Sequence, residues 1–183
     1  LIAAARTAEE ASTVYGRTRR GCKESGNIER AISRLKENHA NTLVTESLPT
    51  ADCRKVREEL IKEHEHITRE LFNIIWSSSS WNTGNATTIT ELVNSDDIAL
   101  NDRALACSAI MLSALTCFEP LKAMVLCTIA SHSETILSTR AIVGLVIVLY
   151  TYKERISHYP ELSSAIEQLN GNKTVKRRIE TIQ

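Results

Sequence analysis

The sequence predicts an all-α protein, and three observations carry that prediction. Three prolines and six glycines in 183 residues leave long stretches without a helix breaker. Apolar residues recur by threes and fours almost throughout, which is the spacing of one helix face. Two strongly apolar segments also overlay on each other at a fixed shift, as the units of a helical repeat do.

The elements follow in order. A first helix is expected over residues 3 to 19, stopping near Gly21. Asn27 can accept an orphan backbone N–H, so it opens a second helix through "IERAISRLKENHA", with Ile28, Ile32 and Leu35 on one face. "NTLVTESLPT" then breaks the pattern. Thr50 caps a long helix carried to about Trp76, whose apolar row is Cys53, Val56, Leu60, Ile67, Leu71 and Ile74. "SSSSWNTGN" has the composition of a surface loop and marks a boundary. Residues 1–80 are therefore expected to form an amino-terminal helical hairpin region. Residues 81–183 form a helical array, the two making one continuous folding unit and a piece of a larger protein.

Beyond the boundary the helices are short. Thr88 and Glu91 have capping-box spacing ahead of Leu92 and Val93. Asn101 is placed to cap "DRALACSAIMLSALTCF", and Pro120 takes a first-turn position in "EPLKAMVLCTIA", where its missing N–H is an orphan anyway. A further helix spans about 134 to 152. "PELSSAIEQLN", closed by Gly171, and a terminal "KTVKRRIETIQ" complete the chain.

A shift of 32 residues lays Leu105 on Leu137, Ala109 and Ile110 on Ala141 and Ile142, and Phe118 on Tyr150. Helical pairs repeating every 30 to 45 residues or so build an α-solenoid, in which each pair buries its apolar face against the next. Two residues of the second segment stand out. Arg140 is the only charge between Glu134 and Lys153, so its stem is expected in the core with its head paired to Glu134 or Asp102. Gly144 costs a helix interior about 1 kcal/mol relative to alanine, and close approach of a neighbouring helix would explain it.

The runs "ELFNIIWSSSSW", "NDRALACSAIMLSAL" and "TRAIVGLVIVLYTYKERISHYPEL" resemble a HEAT-like helical domain of large bacterial proteins that also carry tetratricopeptide-type repeats. The match covers roughly residues 66 to 170. It rests on Leu71, Phe72, Trp76 and Trp81, on Asp102 and Leu105, on Arg140, Ala141, Gly144 and Leu145, and on Tyr159, Pro160, Glu161 and Leu162. The resemblance implies a HEAT/armadillo-like solenoid and a scaffold role. It brings no catalytic residue with it.

Charge and cysteine usage exclude several functions. Twenty-two basic and 22 acidic side chains cancel, so the total does not favour nucleic acid, a membrane surface or a polyanion. Basic residues cluster at Arg17, Arg19, Arg20 and Lys23 and at Lys173, Lys176, Arg177 and Arg178, while the stretch from 70 to 139 holds only Arg103 and Lys122. Five cysteines without a C-x-x-C pair suit reduced thiols in a cytoplasmic protein better than a disulfide framework or a zinc finger. The longest uncharged run that is mainly apolar, 104 to 118, is shorter than the roughly 20 residues of a membrane span.

One stretch invites a metal reading. In "IKEHEHITREL" the side chains of Glu63, His66 and Glu70 line up on a helix, and Glu63 with His66 has the Glu-x-x-His form of di-iron bundles. That chemistry needs a second Glu-x-x-His and further carboxylates to neutralise two cations, and the sequence has no second copy. A solvated stripe beside a helix interface is the reading preferred, with a metal-binding bundle or enzyme centred on these three residues as the alternative. No G-x-S-x-G elbow and no P-loop occur, so no catalytic residue, cofactor or metal is expected. The function expected is a non-enzymatic scaffold that binds another protein or other domains of its parent chain. Its candidate surface residues are Trp81, which either plugs a helix pair or makes an exposed contact, and Arg177 and Arg178.

Overall fold

The computed structural model describes residues 28–47 and 53–182, together with Gly16, and every regular element among them is helical. The helix expected over 3 to 19, the caps expected at Asn27 and Thr50, and the first basic cluster lie outside the described residues, Gly16 apart. Contacts divide the chain into two compact units, Leu1–Ser78 and Ser79–Gln183.

In the first unit, α1 (Ile28–Glu46) packs against α2 (Cys53–Ser77). The pair is antiparallel: Asn38 Nδ2 donates to the Leu60 carbonyl at 3.0 Å, while Arg34, further back on α1, reaches Glu63 and Glu70, further on along α2. Ala31, Ile32 and Leu35 are buried, and Asn38 and Thr45 continue their stripe in polar form. The helix runs to Glu46, well into the stretch expected to break it. Thr42 and Thr45 donate their hydroxyls to the Asn38 and Asn41 carbonyls at 2.9 and 2.7 Å, so these polar side chains are satisfied inside the helix. On α2, Ile67, Leu71 and Ile75 are buried, but Val56 is exposed. Val56 lies only about 20° around the axis from fully buried Ile67, so its exposure follows from its place in the first turn of α2 and not from the face it is on.

The second unit holds α3 (Thr83–Asn94), α4 (Leu100–Thr116), α5 (Pro120–Ala130), α6 (Thr135–Thr151), the single turn α7 (Lys153–Ile156), α8 (Pro160–Gly171) and α9 (Lys173–Ile182). α3 begins inside the expected loop. Asn82 and Asn85 form a reciprocal capping box, with Asn82 Oδ1 accepting the Asn85 N–H at 2.7 Å and Asn85 Oδ1 accepting the Asn82 N–H at 3.2 Å. This replaces the box expected at Thr88 and Glu91. α4 also starts early: the Asp102 and Arg103 N–H groups both donate to the Ala99 carbonyl, so Asn101 is already in the first turn. Pro120 opens α5 as expected, and Asn172 closes α8 and then accepts the Thr174 N–H at 2.9 Å to open α9.

Packing within this unit alternates. α5 lies between α3 and α8, α6 lies between α4 and α9, and consecutive helices α3–α4, α5–α6 and α8–α9 pack in pairs. Helices α4 and α6 run parallel. Ser108 meets Arg140, Met111 meets Gly144 and Leu115 meets Tyr152, so both helices rise together.

Burial defines how α4 and α6 correspond. Their first residues, Leu100 and Thr135, are 35 positions apart, and at that shift the buried positions coincide: Ala106 with Ala141, Cys107 with Ile142, Ala109 with Gly144, Ile110 with Leu145, Ser113 with Val148. The 32-residue overlay instead lays exposed Leu105 on fully buried Leu137. Three residues are almost one turn, so an apolar match survives the slip while the face rotates by about 60°.

Candidate functional site

Three cations of the second unit are spent on the ends of helices. A helix terminates in carbonyl groups without intrahelical donors, which together carry a partial negative charge. Arg103, on α4, is buried and points Nη1 at the Val93 carbonyl in the last turn of α3 at 3.4 Å and at Asp96 Oδ1 at 3.5 Å. Lys122, in the first turn of α5, is 0% exposed and donates from Nζ to the carbonyl of Cys117, the residue closing α4, at 3.3 Å. Arg178, on α9, donates to the His132 and Ser133 carbonyls beyond the end of α5 at 2.7 and 2.9 Å.

The Lys122 ammonium also lies 6.0 Å from the centre of the Trp81 ring. Trp81 is 8% exposed, which leaves little ring for an external contact. Arg178 holds a turn, and Arg177 is exposed. Of the three candidate surface residues, only Arg177 therefore stands free of a structural role visible here. Burial lowers the Lys122 pKa, opposed by the Cys117 and Glu119 charges. The reading of the sequence passed over this lysine. Its signal was present, since Lys122 is the only charge between Glu119 and Glu134 in a helix apolar nearly all round.

Arg140 does the opposite of what was expected. It is exposed and donates to Ser108 Oγ at 2.9 Å, paired with neither Glu134 nor Asp102. The sparse-charge argument named the wrong residue, because one flank of α6 is apolar and yet uncovered.

Cys107 and Cys127 are buried, and burial pushes each thiol up to about 12, with Arg140 pulling Cys107 slightly back. In both, burial works against the thiolate, the form that a nucleophilic cysteine needs. In the first unit, Arg34 sits between Glu63 at 3.7 Å and Glu70 at 2.9 Å, and His66 is exposed. The two carboxylates serve an ion pair across α1 and α2. Among the described residues no group of three or more His, Cys, Asp or Glu is placed to hold a metal. A cavity of about 400 Å³ opens where α5 and α8 begin, near Pro120, Met124 and Leu162; its titratable lining groups, His158, Tyr159 and Glu161, are all solvated.

The outer side of α4 and α6 is different in kind. On α6, Ile136 is 46% exposed, Val143 38%, Val146 56%, Ile147 42% and Tyr150 81%; on the adjacent α4, Leu105 and Leu112 are exposed as well. These residues crown two helices that touch, so they form one apolar face, interrupted by the Arg140–Ser108 pair. Exposed apolar surface on two adjacent helices is uncommon on a monomer.

Comparison of the chain with family models, with curated proteins and with solved structures found no match. No helix among the described residues is long and apolar enough to cross a membrane.

Proposed function

We propose that the chain is a non-enzymatic helical scaffold whose second unit is a HEAT-like α-solenoid, and that it binds another protein through the outer face of α4 and α6. The observation that carries this reading is the run of five apolar side chains on α6, each more than a third exposed. Leaving them in water costs apolar hydration that a partner removes. Two further observations support it: the alternating packing of α3, α5 and α8 with α4, α6 and α9, and the coincidence of buried positions at a 35-residue shift. Cytoplasmic residence, with its five reduced thiols, belongs to the same proposal.

A photo-crosslinking residue at Tyr150, with a second variant carrying it at exposed Thr128 on α5, tests the reading in the cells from which the chain comes. Protein adducts at position 150 that vanish on Val146→Glu, with none at 128, support it. Adducts at neither position, or equally at both, contradict it.

A further inference from the structure

Four exposed positions of α6, joined by half-buried Thr139, follow a heptad. Ile136, Thr139, Val143, Val146 and Tyr150 are spaced three, four, three, four, which are the a and d positions of a seam. A surface helix that buried this stripe within its own fold would show it covered, and here Ile136, Val143, Val146 and Tyr150 are all exposed. α6 already buries a second stripe, Leu137, Ala141, Gly144, Leu145 and Val148, inside its unit. The outer seam is therefore surplus to the fold.

In the same heptad Arg140 and Ile147 take the e position, beside the seam on the side of α4. Charges at e and g decide which helices pair, because each faces a side chain of the partner across the edge of the seam. Arg140 is the only charge on α6, and the neighbouring stretch of α4 from Ala104 to Thr116 has none. Among the described residues no carboxylate lies within ion-pair distance of Arg140; its guanidinium is held toward the surface by Ser108 Oγ alone.

We infer that the occupant of this face is an amphipathic helix of another protein that lays an apolar a/d seam on Ile136, Val143, Val146 and Tyr150 and sets a glutamate or aspartate opposite Arg140. This rests on the scaffold reading and deepens it by giving the partner a chemistry. A second copy of the chain is a poor occupant. Its own α6 holds no carboxylate to set opposite Arg140, and neither does α4 from Ala104 to Thr116, so two copies meeting through this face would leave both arginines unpaired.

The probe is a displayed library of three-heptad helices with apolar residues fixed at a and d and all other positions randomised, selected on the full chain. Wild type, Arg140→Glu and Val146→Glu are run side by side. Wild type is expected to enrich an acidic residue at one flanking position by about tenfold over lysine, and Arg140→Glu to reverse that preference. Binders should be lost with Val146→Glu while its urea midpoint stays at the wild-type value. Binders without any charge preference, or a preference that Arg140→Glu leaves unchanged, overturn the acidic partner while leaving the scaffold reading intact. No enrichment above the Val146→Glu background overturns the helical occupant, and the crosslinking at Tyr150 then decides the scaffold reading by itself. A wild-type dimer in sedimentation that Tyr150→Glu makes monomeric assigns the face to a second copy and also overturns the inference.

Discussion

A Cβ on Gly144 would lie 2.9 Å from Met111 Cγ and 3.0 Å from Met111 Cβ. The absence of a side chain at Gly144 is what lets α6 approach α4 so closely, and Cβ of Met111 cannot move aside without its backbone. Gly144→Leu is therefore expected to lower stability by about 1 to 3 kcal/mol, even though leucine is the better helix former. Gly144→Ala should gain most when Met111→Ala is added, and a double-mutant cycle in urea measures that coupling. A raised midpoint in the leucine variant, or additivity in the cycle, would refute the close contact.

Lys122 is held without exposure between the end of α4 and Trp81. Its pKa is lowered by burial, so the charged form is less stable in the fold than in the unfolded chain. Lys122→Met should be neutral to stabilising by about 1 to 3 kcal/mol near neutral pH, since methionine keeps the volume and removes the buried charge. Between the lowered folded pKa and the ordinary 10.5, the unfolded wild type binds more protons than the folded one, so its penalty fades as pH rises. The gap between the two proteins should close toward 10.5; a gap that widens would contradict a desolvated ammonium.

The buried thiols work in the other sense. Cys107 and Cys127 are raised from 9.0 to about 12, so they contribute stability below pH 9.0 that is lost as pH climbs toward 12. Replacing both with alanine should lower the midpoint at neutral pH through lost packing and flatten its alkaline decline. Urea titrations across that range check it, and an equally steep decline in the double variant would count against buried protonated thiols.

Arg140 and Arg178 should part company in stability. Arg140 is exposed and bonded only to a side-chain hydroxyl, so Arg140→Met should stay within about 0.5 kcal/mol of wild type. Arg178 ties two backbone carbonyls of the α5–α6 turn, and Arg178→Met should cost about 1 to 3 kcal/mol. Thermal melts of the pair decide it, and the reverse order would overturn both placements.

The helices themselves were legible because apolar spacing and the scarcity of breakers dictate them, and Gly144 declared itself by its cost. The α4–α6 register was not, since a slip of three residues preserves apolar matches and only burial exposes it, as Leu105 against Leu137 does. Arg140 and Lys122 show the deeper limit. Each is the lone charge of an apolar helix, and periodicity cannot say which apolar flank the fold covers. α6 is apolar on two sides, so its arginine faces water; α5 is enclosed, so its lysine does not. The exposed apolar face was hidden for the same reason, because its residues read as core.

Hydroxyl-radical footprinting, performed on the purified chain and inside its own cells, tests the central claim most directly. Tyr150 is 81% exposed and reacts readily in isolation, and Leu43 on α1, 54% exposed, serves as the reference. A protein seated on α4 and α6 predicts strong protection of Val143, Val146 and Tyr150 in the cell with little change at Leu43. Equal oxidation of Tyr150 in both settings would show the face bare where it functions, and would contradict the proposed role.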